Sequence, residues 1–373
     1  MTNPPPPGNW GPPQPPYGQG QPPYGPGQWP PQQQGWGQPP APPKNNLKWL
    51  LIGVAVLLVI AISVGATLLF TRDSGGGTTQ TATGNPPAAG EIASANDTGP
   101  VTIITEDPTC AAWRPIATTL SKQQKQGWDR RNYSAPASAW TPEERALYES
   151  AADAMRSAAD QTVELAKLTP HRVMRELYEQ SIAYWRAYAD SIPTYTEADN
   201  SLIGVASDAS SAVVSICAAI ENNSAAARGP LVPAGPSPTL EAAVVVSANP
   251  PRFISNSGNR SCEAWTAASN KFDIDAAPWR DNDPNIPASQ WSPEQRSTMD
   301  SMSSVMAGFA DEIVEISKVS DNSTLHDFAA LSAQYWHAFA LALPTYQATD
   351  NSLASAAAYA HYLVFNACAS AAV

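Results

Sequence analysis

The sequence predicts an all-α protein with two tandem, disulfide-bonded repeats resembling four-helix bundles, after one transmembrane helix and a disordered N-terminal tail. Three observations predict this: a self-match in the second half of the chain, a long uncharged apolar run, and a proline-rich N-terminus. The predicted segments are a cytoplasmic tail (1–46), a transmembrane helix (47–71), a flexible linker (72–106), a first repeat (107–223), a second linker (224–258) and a second repeat (259–373).

The N-terminal tail has a composition that does not support a folded core. Residues 1–43 contain 17 of the 37 prolines and no charged side chain. Such a segment has few aliphatic groups to bury, so it is predicted to be disordered and partly polyproline-like. The unit Gln14–Gly20 recurs almost unchanged as Gln21–Gly27. The tail is therefore a candidate for docking to a protein partner, the alternative being a solvated segment without a fixed partner.

The apolar run extends from Trp49 to Phe70, 22 residues without a charge, which is long enough to cross a bilayer as a helix. A cleaved signal peptide has a shorter apolar core and rarely follows so long a tail, so a retained anchor is expected. Lys44 and Lys48 precede the run, which favours a cytoplasmic N-terminus. These features predict a single-pass plasma-membrane protein with both repeats outside the cytoplasm.

The part after the apolar run is strongly acidic. Residues 73–373 carry 18 basic and 33 acidic side chains, a net charge of −15. This charge disfavours nucleic acid and anionic lipid as ligands. All four cysteines of the chain also lie in this part. An even number of cysteines in an exported region predicts disulfides.

The self-match indicates a duplicated domain. Cys110-Ala-Ala-Trp113 returns as Cys262-Glu-Ala-Trp265, 152 positions later, whereas matches from Trp128 onward keep a spacing of 151. One deletion between Trp113 and Trp128 explains both spacings. A match this long means two copies of one domain.

Each copy is predicted to contain four helices. In the first copy Asp107-Pro108 predicts the start of helix one, which continues to about Gln126. Thr141-Pro142-Glu143-Glu144 is a capping box that begins helix two, and Ser292-Pro293-Glu294-Gln295 repeats it. The remaining predictions for the first copy are an end of helix two near Leu168, a cap for helix three at Thr169-Pro170, its end at Pro193, and helix four from near Asp199 to Glu221.

In an antiparallel bundle of four helices, the start of helix one and the end of helix four lie at the same end. Cys110 and Cys262 are near the first of these points, and Cys217 and Cys368 near the second. The predicted bridges are therefore Cys110–Cys217 and Cys262–Cys368, whereas a cross-domain pairing would break the repeat symmetry. Closing loops of this length contributes about 4–5 kcal/mol in the chain-entropy model.

Several residues kept in both copies are candidates for a binding site. Tyr184-Trp185 and Tyr335-Trp336 have core packing as their alternative role, but adjacent helical residues point about 100° apart, so one of each pair is expected to be partly exposed. Helix capping is the alternative for the two aspartates. The full set of candidate binding residues is Trp128, Trp279, Tyr184, Trp185, Tyr335, Trp336, Asp199 and Asp350.

The sequence predicts no catalytic residue, cofactor or metal site. The four histidines align with other residue types in the opposite copy, so a site common to both copies does not use them. Two buried acids could perform glycoside chemistry. However, Glu143 has the position of a first-turn acid, and Glu164 with Lys167 has the spacing of a surface pair. A wall-active hydrolase is the least favoured alternative. The shared acids are Glu143/Glu294, Asp160/Asp311, Glu164/Glu315 and Asp199/Asp350.

A tail that reads Gln-Pro-Pro-Tyr-Gly twice, one membrane span and a small disulfide-bonded exterior part resemble single-pass envelope proteins of actinobacteria, mycobacteria in particular. The resemblance implies a plasma-membrane protein that faces the cell wall. The favoured function is a non-enzymatic envelope protein whose exterior repeats bind a protein, lipid or wall component. The alternative is an exported sensor or an accessory subunit of an envelope enzyme.

Overall fold

The computed structural model describes residues 92–235, 246–255 and 258–371, and these residues form helices, turns and loops without a strand. They all belong to one unit of tertiary contacts that begins at Thr79. The predicted tail (1–46) and transmembrane helix (47–71) lie outside the described residues and stay predictions.

The helices follow the predicted duplication. The first repeat contributes four long helices, and four equivalent helices form the second repeat. Two short helices, α5 and α7, lie between the longer ones. In chain order the helices are α1 Cys110–Gln124, α2 Pro142–Leu168, α3 Arg172–Ser191, α4 Asn200–Glu221, α5 Ser224–Arg228, α6 Cys262–Asp275, α7 Ala277–Arg280, α8 Pro293–Ser317, α9 Ser323–Ala342 and α10 Asn351–Ala371.

The start of helix two is confirmed in both copies. The Thr141 hydroxyl accepts a hydrogen bond from the Glu144 backbone N–H at 3.2 Å, and the Glu144 carboxylate accepts one from the Thr141 N–H at 2.8 Å. Ser292 and Gln295 make the same reciprocal pair at the start of α8. Two backbone donors at each helix start are thereby satisfied.

The predicted starts of helices one and three are wrong by a few residues. Helix α1 begins at Cys110 and helix α3 at Arg172. The Asp107 carboxylate accepts hydrogen bonds from the Thr109 N–H and from the Thr169 hydroxyl. Asp107 and Thr169 thus connect the loops before helices α1 and α3 and do not cap those helices. Each helix therefore begins after the predicted cap residue.

Both predicted disulfides are confirmed. Cys110 bonds to Cys217 and Cys262 to Cys368, each with Cα atoms 5.4 Å apart. Each bridge joins the first and last long helices of its own repeat.

The two repeats pack against each other through their fourth helices. The α4–α10 contact is the most extensive among the described helices. The helices run antiparallel, because Asn222 at the end of α4 donates to Ser352 at the start of α10, at 2.9 Å. Near the opposite end, Asn366 of α10 donates to Asp208 of α4 at 2.6 Å. The two repeats therefore share a buried interface.

The segments that precede the repeats pack on the opposite repeat's third helix. The Tyr184 hydroxyl in α3 donates to the carbonyl of Ile254, which precedes the second repeat, at 3.0 Å. The equivalent tyrosine of α9, Tyr335, lies beside the backbone of Ile104, which precedes the first repeat. The prediction of a flexible linker up to residue 106 is therefore wrong for its described part, in which Val101, Ile103 and Ile104 are buried.

Described residues of the second linker (224–258) pack against the third helices of both repeats. The Pro233 carbonyl accepts a hydrogen bond from Gln334 of α9 at 3.0 Å. Phe253 lies between α3 and α9, with its ring centroid 5.2 Å from that of Phe328 and 6.4 Å from that of Tyr184. This linker thus adds side chains to the core.

Within the described part of the chain, one stretch, Glu197–Glu221, has the length and apolar composition of a membrane span. More than half of its most apolar window is buried inside the bundle. Because this stretch contains α4, its apolar character is explained by the contact with α10.

Candidate functional site

The paired aromatics of the third helices are core residues. Tyr184, Trp185, Tyr335 and Trp336 are at most 1% exposed, so the expectation that one of each pair is partly exposed is wrong. The Trp185 ring stacks on Trp113 with centroids 6.1 Å apart. Because inter-repeat packing covers the outward face of each third helix, neither member of a pair reaches solvent.

The other two tryptophans also pack inside their repeats. Trp128 is buried, and the Arg131 guanidinium lies 3.5 Å from its ring centroid. Trp279 is partly buried and meets Trp336 edge-on at 6.0 Å. Trp279 is therefore the only one of the six aromatic candidates that keeps appreciable contact with solvent.

Asp199 and Asp350 stabilise the turns before the fourth helices. Each carboxylate accepts a hydrogen bond from the backbone N–H three residues earlier, that of Thr196 at 2.8 Å and that of Gln347 at 2.9 Å. Asp350 is also buried and pairs with Arg228 at 2.8 Å. The two aspartates therefore do have a capping role, as the alternative predicted. Each one caps the short turn that precedes the fourth helix and not the helix itself.

A cluster of charged side chains lies where α3 meets α9. Arg172 binds Asp327 at 2.6 Å, and Arg175 lies 3.8 Å from Glu176 and 3.6 Å from Glu179. Burial raises the pKa of Glu176 well above its usual range, and the Asp327 carboxylate raises it further. Burial also raises the pKa of Glu179 to about 7, against the opposing effect of Arg175. Glu176 and Glu179 therefore remain protonated at a higher pH than a carboxyl group exposed to water.

Two further groups, the half-buried Asp208 and the buried His361, have shifted pKa values. Burial raises the pKa of Asp208 to about 7, although the hydrogen bond from Asn366 opposes this. Burial lowers the pKa of His361 to about 3. His361 packs among Phe272, Phe309 and other rings, so it remains neutral and acts as part of the aromatic core.

Several of the shared acids lie beside basic side chains on the surface of the bundles. Glu164 binds Lys167 at 2.7 Å, and Asp160 binds Arg186 at 2.6 Å. In the second repeat Asp311 lies 3.1 Å from His337. These pairs connect neighbouring helical turns or helices on the outside of the bundles.

The second repeat has a surface cleft of about 300 Å³ between α6 and α8. The stacked rings of Phe272 and Phe309, with centroids 4.2 Å apart, belong to its lining. Lys271 and Glu312 are exposed at the cleft, and Lys271 makes an ion pair with Asp275 at 2.5 Å. The cleft thus combines an apolar surface with charged edges.

The cleft carries no residue pattern that both copies keep, so the duplication does not mark it in the sequence. The cleft is lined by residues that differ between them. Phe309, Gly308 and Glu312 align with Ala158, Ser157 and Gln161 of the first repeat. A site present in only one copy is indicated by positions at which the two copies differ.

The comparisons with known proteins identify a family for this helical unit. A family model described as "Mycobacterial ESX-1 associated protein" matches residues 92–372. The chain belongs to this family. An uncharacterized protein of Mycolicibacterium smegmatis (strain MKD8) is 45% identical over 332 residues, which cover 87% of this chain and 86% of the relative. No solved structure matches the chain.

Proposed function

We propose that this protein is a non-enzymatic accessory protein of the mycobacterial ESX-1 secretion system, anchored in the plasma membrane, whose helical unit binds a protein partner outside the cytoplasm. The observation that carries the proposal is the family match, which extends over both repeats and the segment before them. The two disulfides support an oxidising location. The predicted apolar span at 47–71 supplies the anchor.

The geometry favours a binding role for the unit as a whole. Five of the six candidate aromatics are buried, Trp279 is partly buried, and the two repeats are joined through α4 and α10. Such a unit presents helix surfaces in a fixed relation to each other, which suits it to hold a protein partner.

Deletion of the gene from a mycobacterium with an active ESX-1 system tests the proposal. The expected result is reduced export of ESX-1 substrates, restored by the full-length chain. A fusion that places a periplasmic reporter enzyme after Val373 tests the orientation and is expected to be active. Normal ESX-1 export in the deletion strain would contradict the proposal.

A further inference from the structure

We infer that the N-terminal strap, residues 92–99, is a pH-sensitive latch that closes over buried carboxyl groups of α3 at low pH and opens as the pH rises. The strap directly precedes the buried residue Val101, and the predicted linker (72–106) joins it to the predicted membrane span (47–71). Opening therefore lengthens the segment between the predicted span and the core. The latch is a property of the fold and does not depend on a role in ESX-1 secretion.

The strap is attached by polar contacts. The Ala93 N–H donates to the Lys167 carbonyl at the end of α2, at 2.9 Å. Ser94 is the one buried residue of the strap, and its hydroxyl accepts a hydrogen bond from Arg175 Nε at 3.0 Å. A segment that buries little apolar surface opens at a lower cost in free energy than the core does. The strap is therefore suited to open while the helices stay folded.

A second set of contacts joins the strap to both repeats. The Asp97 carboxylate accepts a hydrogen bond from the Arg172 backbone N–H at 2.7 Å, and the Asp97 carbonyl accepts one from the Arg172 guanidinium at 2.6 Å. The same guanidinium binds Asp327 of α9 at 2.6 Å. The strap thus closes at the point where α3 meets α9.

The side chains at this point carry an excess of carboxyl groups. With every group ionised, two guanidinium groups face four carboxylates, a net charge of −2. The Glu176 and Glu179 side chains are only 9% and 11% exposed. An excess charge that water does not reach is costly, so the cluster is more stable when carboxyl groups bind protons. The six charged residues are Arg172, Arg175, Asp97, Glu176, Glu179 and Asp327.

The geometry assigns these protons to Glu176 and Glu179. Arg175 lies 3.8 Å from the first and 3.6 Å from the second, which is too far for a hydrogen bond. Glu176 Oε2 and Glu179 Oε1 are buried and have no hydrogen-bond partner among the described residues. In agreement with this, burial raises the pKa of Glu179 to about 7, and burial and Asp327 raise the pKa of Glu176.

Other titratable and charged groups that flank the cluster are engaged with other partners. These contacts come from the end of α2, the residue before α3, helix α9 and the second linker. They are Lys167 with Glu164 at 2.7 Å, His171 with the Glu106 carbonyl at 2.9 Å, His326 with the Ser320 carbonyl at 2.7 Å, and Arg252 over the Tyr184 ring at 6.0 Å.

Proton binding couples the cluster to the strap. Opening removes Ser94 from Arg175 and admits water, so the two glutamates then ionise near the ordinary pKa of 4.5. The closed state therefore binds more protons than the open state between this value and about pH 7. By linkage, closure is favoured most at low pH, and this preference is lost as the pH rises from about 4.5 to about 7.

The second repeat supplies a matched control. Ala330 and Ser323 occupy the positions equivalent to Glu179 and Arg172, so the cluster belongs to the first repeat. The segment before the second repeat is held by amide side chains: the Phe253 N–H donates to Gln180 Oε1 at 3.0 Å, and the Phe253 carbonyl accepts from Asn322 at 2.6 Å. Amides do not titrate in this pH range, so the attachment of this segment is expected to be independent of pH.

The test is amide hydrogen exchange of the full-length protein in lipid nanodiscs at about pH 5.5 and about pH 8.5, read by mass spectrometry. Rates are corrected for the intrinsic pH dependence of exchange. Protection of residues 92–99 is expected to be about tenfold lower at the higher pH. Protection of residues 250–255 is expected to stay the same within about twofold.

Two variants test the assignment to the glutamates. Glu176→Gln/Glu179→Gln carries neutral side chains of the same shape, so its strap is expected to stay protected at both pH values. Glu164→Gln changes an exposed glutamate of α2 and is expected to keep the pH dependence of the wild type. Exchange in α3 reports whether each variant is folded.

Four results would overturn the latch. They are strap protection that is equal at both pH values, strap protection that rises with pH, a pH dependence that persists in Glu176→Gln/Glu179→Gln, and a parallel loss of protection in residues 250–255. The last result would show that the pH acts on the whole unit.

Discussion

The guanidinium of Arg172 in α3 binds the carboxylate of Asp327 in α9 through hydrogen bonds of 2.6 and 3.0 Å. This bidentate pair joins the third helix of one repeat to that of the other. Both side chains are largely buried, at 12% and 6% exposure. Removal of one partner therefore leaves a charge that water does not reach freely.

Asp327→Ala is expected to lower the free energy of unfolding by about 3 kcal/mol, because it leaves the Arg172 charge with poorer partners. Asp153→Ala is the matched control, since it breaks an exposed pair with Arg156 and should cost less than ~0.5 kcal/mol. The double variant Arg172→Met/Asp327→Leu should be more stable than Asp327→Ala. Urea unfolding measures all three, and equal costs for Asp327→Ala and Asp153→Ala would contradict the assignment.

The two disulfides are expected to stabilise the unit to similar degrees. They close loops with sequence separations of 107 and 106 residues. Replacing either cysteine pair with alanine should lower the free energy of unfolding by about 4 kcal/mol, because the unfolded chain gains entropy. Chemical unfolding of the Cys110→Ala/Cys217→Ala and Cys262→Ala/Cys368→Ala variants provides the comparison. A change below ~1 kcal/mol in either would show that the bridge contributes little.

The buried tryptophans provide a test of the core assignment. Trp185→Ala and Trp336→Ala are each expected to cost about 3–5 kcal/mol, since each leaves a cavity among packed rings. Trp279→Ala is expected to cost less, because Trp279 is only partly buried. Thermal unfolding separates these effects. Wild-type stability in Trp185→Ala would restore the earlier idea that this side chain serves a ligand.

The pKa of Asp208 predicts a pH dependence of stability. The folded carboxyl keeps its proton up to about pH 7, whereas in the unfolded chain it ionises near its ordinary value of 3.8. The folded state therefore binds more protons between these values, and the contribution of Asp208 to stability falls as pH rises from about 4 to about 7.

Asp208→Asn removes this titration while its side-chain oxygen still accepts from Asn366. The variant should be more stable than wild type at pH 8 by roughly 2 kcal/mol, about half the full linkage value because the side chain keeps some solvent contact. The gain should shrink towards zero at pH 4. Asp190→Asn, at an exposed ion pair, is the control. A gain of equal size at both pH values would contradict the role of Asp208.

Local signals in the sequence predicted the second helices, the fourth helices and the disulfides. The capping boxes at Thr141 and Ser292 fix helix starts through bonds within four residues, so they are visible without tertiary structure. The bridges followed from helix order and symmetry. By contrast, Asp107 and Thr169 resemble caps in sequence, but their bond to each other decides their role.

The core that the two repeats share was harder to predict. A sequence repeat indicates the fold of each copy, but it does not indicate how the two copies pack against each other. Residues 92–106 lack helical periodicity and were interpreted as a linker, although Ile104 packs against the second repeat. The sequence of α4 did hold one signal: apolar and small residues occupy most of its circumference, which is typical of a helix that packs on more than its own bundle. The cleft had no shared signature, since Phe309 and Gly308 belong to one copy only.

Because α4 and α10 join the two repeats, we expect the repeats to unfold as one cooperative unit. The most direct test is hydrogen exchange of the full-length protein, measured for the wild type and for the Cys110→Ala/Cys217→Ala variant. Because α4 and α10 share an interface, the slowest amides of both helices should report the same opening free energy and lose the same amount in the variant. Loss of protection in α4 with unchanged protection in α10 would show that the repeats are independent domains.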